Sequence, residues 1–186
     1  MSDARQVKLS KFLSLVLRHD PGAAFVQPDA GGWVPVAALL EGMARAGLPA
    51  TCAELETVVA QSPKKRFTLS EDGARIRAAQ GHSFDVDLGL VPTVPPSVLF
   101  HGTAQQTAPA ILAEGLKPSG RQFVHLSLDV ETARTVGARH GKPVVFDVDT
   151  AAAQADGVAF FRAENGVWLA RGIPPHALKL SGEARV

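Results

Sequence analysis

Leu9, Phe12, Leu13, Val16 and Leu17 recur at helical spacing, with Lys8, Ser10, Lys11 and Ser14 between them. The pattern predicts an amphipathic helix that ends at the pair Arg18–His19. Pro21 follows closely, and a proline disfavours helical backbone in the residue before it. A short strand is expected around Trp33, then a second helix from about Pro35 to Ala46, with the proline in the first turn and Gly47 as the stop. A third helix is expected from Ala53 to Gln61, turning Leu55, Val58 and Val59 inward. Phe67 and Leu69, then Ala74 and Ile76, alternate about a Glu-Asp-Gly turn, which is the pattern of a β-hairpin.

Three helices followed by a two-stranded wing, over residues 1–83, describe a winged-helix module. That class of fold often touches nucleic acid, although fold alone does not assign function. Residues 84–97, FDVDLGLVPTVPPS, are rich in proline and poor in pattern, and are expected to be a linker. From 98 to 186 the character changes. VLFHGT reads as a strand that stops at His101, Gly102 and Thr103, and AQQTAPAILAEGL as a helix closed by Gly115. FVHLS is a short strand, DVETARTVGARHG a helix capped by Asp129, and PVVFDVD, VAFFRA and GVWLA are further strands. The expected class is α+β, with a mixed, split sheet in the second lobe.

Composition narrows the chemistry. With 186 residues, 46% of them hydrophobic, the chain can bury one large core or two small ones. A formal net charge of +1 creates no bulk field, so any nucleic-acid contact must use a local patch. Cys52 is the only cysteine, which excludes an intrachain disulfide framework and a Cys-rich zinc site. The histidines are scattered without metal-ligand spacing, so no metal is expected. Neither GxGxxG nor GxxxxGK[ST] occurs. A soluble, cytoplasmic protein without signal peptide or membrane span is the expected setting.

What remains is a set of polar clusters. His101, Gly102 and Thr103 end one strand, His125 and Ser127 share a face of another, and Arg139 and His140 close a helix. Arg18 and His19 are equally well explained by the preference of cations for a helix C-terminus. A solvated basic turn before a strand accounts equally for Lys64, Lys65 and Arg66.

Eight stretches carry a resemblance: LSKFLSLVLRHDP, GGWVPV, KKRFTL, AAQGHS, FHGT, GLKPSGRQFVHLS, VGARHGKPVVFDV and ENGVWL. In this order, and over nearly the whole chain, they resemble the RNA 2'-phosphotransferases, whose C-terminal lobe is similar to ADP-ribosyltransferases. The resemblance implies an N-terminal lobe that holds RNA and a second lobe, 98–186, that holds NAD as a consumed co-substrate. An internal RNA 2'-phosphate, the mark of one kind of tRNA ligation, would pass to NAD. The products would be 2'-hydroxyl RNA, nicotinamide and ADP-ribose 1'',2''-cyclic phosphate. The family's Arg-His-Arg-Arg set falls on Arg18, His19, Arg66 and Arg121.

The same resemblance assigns NAD contacts to His101, Gly102, Thr103, His125 and Ser127, with Arg139 and His140 near the remaining ribose and phosphates. Gly102 is expected to let the dinucleotide approach the backbone closely. RNA contacts are expected from Lys64, Lys65, Gln80, His82 and Ser83, and the enzyme is expected to be a monomer. Val167 stands where many ADP-ribosyltransferases carry a glutamate, which suits an acceptor that is already an anion. Phe100 and Ala163 depart from the tyrosine and serine frequent in the family. The competing reading at this point is an NAD-dependent ADP-ribosyltransferase acting on another acceptor, such as a nucleic-acid terminal phosphate or a protein side chain.

Overall fold

The computed structural model describes residues 1–182 and divides into two compact units, Met1–Gly89 and Leu90–Val186. The division falls inside the proline-rich segment 84–97. The first unit contains α1 (Asp3–Arg18), β1 (Val34–Pro35), α2 (Val36–Arg45), α3 (Cys52–Ala60), β2 (Phe67–Leu69) and β3 (Arg75–Ala78). Leu9, Leu13, Val16 and Leu17 of α1 are fully buried against Leu39, Met43 and Ile76, as the helical spacing requires. The three strands form one antiparallel sheet in the order β1-β3-β2.

Local signals set the helix boundaries. Thr51 and Glu54 make a reciprocal capping box at the start of α3. Glu54 also takes a bidentate ion pair from Arg5 of α1. The Arg5 hydrogen bonds and the Thr51 N–H together pull the Glu54 carboxyl down to about 2. At α2, a side chain on Gly42 would meet the Ala24 carbonyl oxygen at 1.7 Å, so glycine lets the helix rest directly on the 3-10 turn Pro21–Ala24.

The second unit contains β4 (Val98–Ala104), α4 (Ala108–Glu114), β5 (Val124–Leu126), α5 (Val130–Gly137), β6 (Pro143–Asp149), α6 (Thr150–Ala155), β7 (Phe160–Arg162), β8 (Trp168–Ala170) and β9 (Leu178–Leu180). Two three-stranded sheets, β4-β6-β9 and β5-β8-β7, are stitched by a bridge between Phe100 and Ser127. The class is α+β and the sheet is split, but every pairing among the described residues is antiparallel, not mixed. PVVFDVD reads as continuously apolar because β6 is the central strand of its sheet. Phe146 and Val148 enter the core, and Val145 lies on the face under α5.

The expected strand end at His101–Thr103 is also corrected. Register with β6 continues through Thr103↔Val144 to Ala104↔Pro143, so these residues sit inside β4. Gly102 has a packing role. A Cβ there would lie 1.6 Å from the Ala133 carbonyl oxygen of α5, and one on Gly137 would lie 2.8 Å from the Thr103 backbone. The two glycines let α5 lie directly on β4. His101 and Thr103 point to the opposite face of the strand from Gly102.

Gly102→Ala is expected to destabilise the protein by about 3 kcal/mol or more, the upper end for overpacking, because the obstruction is backbone. Chemical denaturation of the variant measures this. A loss under about 0.5 kcal/mol would contradict the packing role.

Candidate active site

In the first unit the site grows from the end of α1. The last-turn carbonyl of Arg18 accepts from the Ser83 backbone N–H at 2.8 Å and from the Ser83 hydroxyl at 3.2 Å. The Ser83 Oγ also lies 3.1 Å from His19 Nδ1. Helix termini leave carbonyls without partners, and here the chain returns 65 residues later to satisfy one of them. Arg18 Nη2 reaches the Arg66 carbonyl at 3.4 Å, and the same carbonyl accepts the Ala79 N–H at 2.9 Å. The end of α1 is thus tied to Ser83 and, through the Arg18 side chain, to the Arg66 backbone. Lys65 adopts a left-handed φ of 41° just before Arg66, and both Lys64 and Lys65 are exposed.

Segment 80–83 does something other than line a surface. His82 is 1% exposed and Gln80 9%, so neither presents its side chain to RNA as expected; both are interior, and Ser83 is engaged with Arg18 and His19. The His82 ring stacks edge-on against Phe84 at 5.5 Å, and neither ring nitrogen is hydrogen-bonded among the described residues. Burial first, then the charges of Arg18, Arg77 and His19, push His82 down to about 4. A neutral imidazole therefore lies within a cationic cluster. Arg77 is a member that the sequence reading missed; its only signal was alternation with the inward-facing Ile76.

In the second unit, Phe100 and Ser127 exchange backbone hydrogen bonds at 2.9 and 2.7 Å. This holds β4 beside β5. His101 Nδ1 lies 3.0 Å from the His125 carbonyl oxygen. A carbonyl only accepts, so Nδ1 carries the proton and Nε2 is left as the acceptor. Burial lowers the pKa of His101 and keeps the ring neutral. Thr103 Oγ1 is 2.7 Å from the Thr107 hydroxyl, which donates onward to the Ala104 carbonyl.

Arg121 has an exposed side chain. Packing around its guanidinium, then the charge of Arg139, lower its pKa. Two guanidinium groups near enough to disfavour each other suit an anion. The side chain of His140 lies outside the described residues. Val167 enters β8 behind the Asn165–Gly166 turn, and Glu164 is exposed. Among the described residues, no helix is long and apolar enough to cross a membrane.

Comparison with known proteins shows the family to which the chain belongs. The family described as RNA 2'-phosphotransferase, Tpt1 / KptA family matches residues 4–172. The chain belongs to the RNA 2'-phosphotransferase family. It is 55% identical over 175 residues to a probable RNA 2'-phosphotransferase of Agrobacterium fabrum, covering 94% of each chain. It is 50% identical over 178 residues to one of Hahella chejuensis, covering 96% of each. A Streptomyces coelicolor relative of the same description is 49% identical over 179 residues, 96% of this chain and 97% of its own. The RNA 2'-phosphotransferases are transferases, and clustered guanidinium groups fit a phosphoryl substrate.

For this phosphotransferase, ring NMR of His82 is expected to show titration near pH 4. The folded pKa lies below that of an unfolded histidine, about 6.5. The stability His82 contributes is complete above about pH 6.5 and is lost as pH falls through 4, because the unfolded chain takes up a proton that the folded one refuses. A His82 titration between pH 6 and 7 would contradict the buried, cation-flanked ring.

Proposed function

We propose that the protein is an NAD-dependent RNA 2'-phosphotransferase that removes an internal RNA 2'-phosphate in two steps. In this reading residues 1–83 are a winged-helix lobe that holds RNA, and residues 98–186 an ADP-ribosyltransferase-like lobe that holds NAD. The observation that supports it is the fixed end of α1, where Ser83 holds Arg18 and His19 and the Arg18 side chain reaches the Arg66 backbone. The family's pattern assigns Arg121 as the fourth member, and within the second unit the charge of Arg139 acts on it.

In the first step a phosphate oxygen of the RNA attacks the anomeric carbon of the nicotinamide riboside. The glycosidic bond breaks and nicotinamide leaves with its electron pair. A phosphate is already an anion at neutral pH and needs no general base, which agrees with Val167 in place of a glutamate. In the second step the ribose 2''-hydroxyl attacks phosphorus and gives up its proton. The bond from phosphorus to the RNA 2'-oxygen breaks, and that oxygen leaves as a hydroxyl.

Arg18, Arg66 and Arg121 bind the phosphate oxygens and balance the charge of this second step, since the guanidinium fork matches phosphate and stays charged. His19 donates the proton, or a hydrogen bond, to the departing ribose oxygen. The fixed tautomer of His101 fits the dinucleotide. Its Nε2 is left to accept from a ribose hydroxyl or the nicotinamide amide, and the family's pattern adds Thr103, His125 and Ser127 as NAD contacts.

Incubating the protein with NAD and an oligoribonucleotide bearing one internal 2'-phosphate is expected to yield 2'-hydroxyl RNA and one nicotinamide per phosphate lost. Arg66→Ala is expected to lower turnover by about 100-fold or more, the scale for removing one preorganised charge donor, and to accumulate ADP-ribosylated RNA. Nicotinamide release with a terminal phosphate as the only modified acceptor would favour the competing ADP-ribosyltransferase reading.

A further inference from the structure

Between α1 and the C-terminal end of α3 runs an open groove of about 530 Å³, floored on one side by Gln6, Ser10, Lys11 and Ser14 of α1. Gln61 lines its other wall, and Arg66 is also part of the lining. On α1, Gln6, Ser10, Ser14 and Arg18 are spaced at successive intervals of four, which places them in one row along the helix. All four are half-buried, between the buried leucine face and solvent. The row therefore leads along the groove toward the pair Arg18–His19.

We infer that this groove carries the single-stranded RNA that flanks the 2'-phosphorylated nucleotide. The inference rests on the phosphotransferase reading and extends it to a binding track. Val7, Val58 and Pro63 give part of the lining an apolar character, and its polar remainder suits a ribose-phosphate backbone. Lys11 and Arg66 supply phosphate-binding cations, with exposed Lys64 and Lys65 adjacent in sequence to Arg66. Hydroxyls and amides of Ser10, Ser14, Gln6 and Gln61 can donate to phosphate oxygens and exchange hydrogen bonds with 2'-hydroxyls.

No aromatic side chain lines the groove, so bases are not read or stacked there, and binding is indifferent to sequence. Asp3, the acidic residue of the lining, lies at the opposite end of the α1 segment from Ser14 and marks where a polyanion stops being favoured. From Asp3 to Ser14 the helix rises about 16 Å. At roughly 3.4 Å per stacked nucleotide this holds at most about five nucleotides on one side of the phosphate.

The test uses a series of oligoribonucleotides with one internal 2'-phosphate and zero to eight added nucleotides on either flank. On one flank KM is expected to fall with each addition and to level off by about the fifth, with little change in kcat. Lys11→Gln is expected to raise KM several-fold for the long substrates and leave the shortest unchanged, and Lys11→Arg to restore it. If no member of the series is turned over, the phosphotransferase reading fails, and the groove is then judged by binding alone. Fluorescence anisotropy with an unphosphorylated fluorescent octaribonucleotide is expected to show Lys11→Gln reducing the slope of log affinity against log salt by about 0.7. A KM independent of length, or a Lys11→Gln variant that binds RNA with the wild-type salt slope, overturns the groove proposal.

Discussion

The serine at position 83 holds the end of α1 in place. A helix that stops at Arg18 leaves its last carbonyls without partners, and in most helices water satisfies them while the final turn frays. Here the Ser83 N–H and hydroxyl take one of those carbonyls, and the same hydroxyl reaches the His19 ring. The terminal turn is thereby tied to a segment 65 residues away. This fixes the backbone of the last turn and restrains the His19 ring, which would otherwise sample several rotamers. The same return of the chain buries His82 beneath the cations. A protonated His82 would repel Arg18 and Arg77, and a ring that stays neutral through the physiological range lets the arginines crowd together at lower cost.

The second unit meets a comparable constraint by different means. His101 and Thr103 hang on one strand, β4, whose two faces have different duties. The Gly102 face is occupied by α5 at backbone contact, which excludes any side chain there. The other face carries His101 and Thr103, with His101 locked to the His125 carbonyl. A rigid strand pressed under a helix is a better platform for a donor-acceptor pattern than a loop would be. The glycine that seemed to belong to ligand approach is needed one layer deeper, for the packing that steadies its neighbours.

Much of this was legible in the chain. The period of Leu9, Leu13, Val16 and Leu17 specified α1, and Asp129 and Gly115 marked helix boundaries through ordinary capping chemistry. Two elements escaped for different reasons. In α6, Asp149 caps the Ala152 N–H at 3.0 Å, a signal that was present but hidden inside an apolar run read only as strand. In β9, three residues pair with β6 and are specified by that partner more than by local pattern. The site was legible as residue types but not as roles. Gln80 and His82 looked like surface polar groups after a wing, and Gly102 looked like a ligand-facing turn. Each role depends on a contact with a residue far away in sequence, Arg18 in the one case and Ala133 in the other.

The balance between the two kinds of anion contact also follows from the sequence's near-neutral charge. A chain with a formal net charge of +1 cannot draw RNA by its overall field, so affinity must come from a few well-placed cations. Spending them as a tight cluster gives strong recognition of a phosphate monoester, which carries more charge than the diesters around it. A cluster alone would also accept free phosphate or any phosphorylated small molecule. Selection for phosphate within a polynucleotide needs weaker, extended contacts beside the cluster, made by neutral donors that add length dependence without adding charge. The row of Gln6, Ser10 and Ser14 leading to Arg18 has that composition, so in the proposed reading the helix that would supply the clamp is also placed to measure the strand.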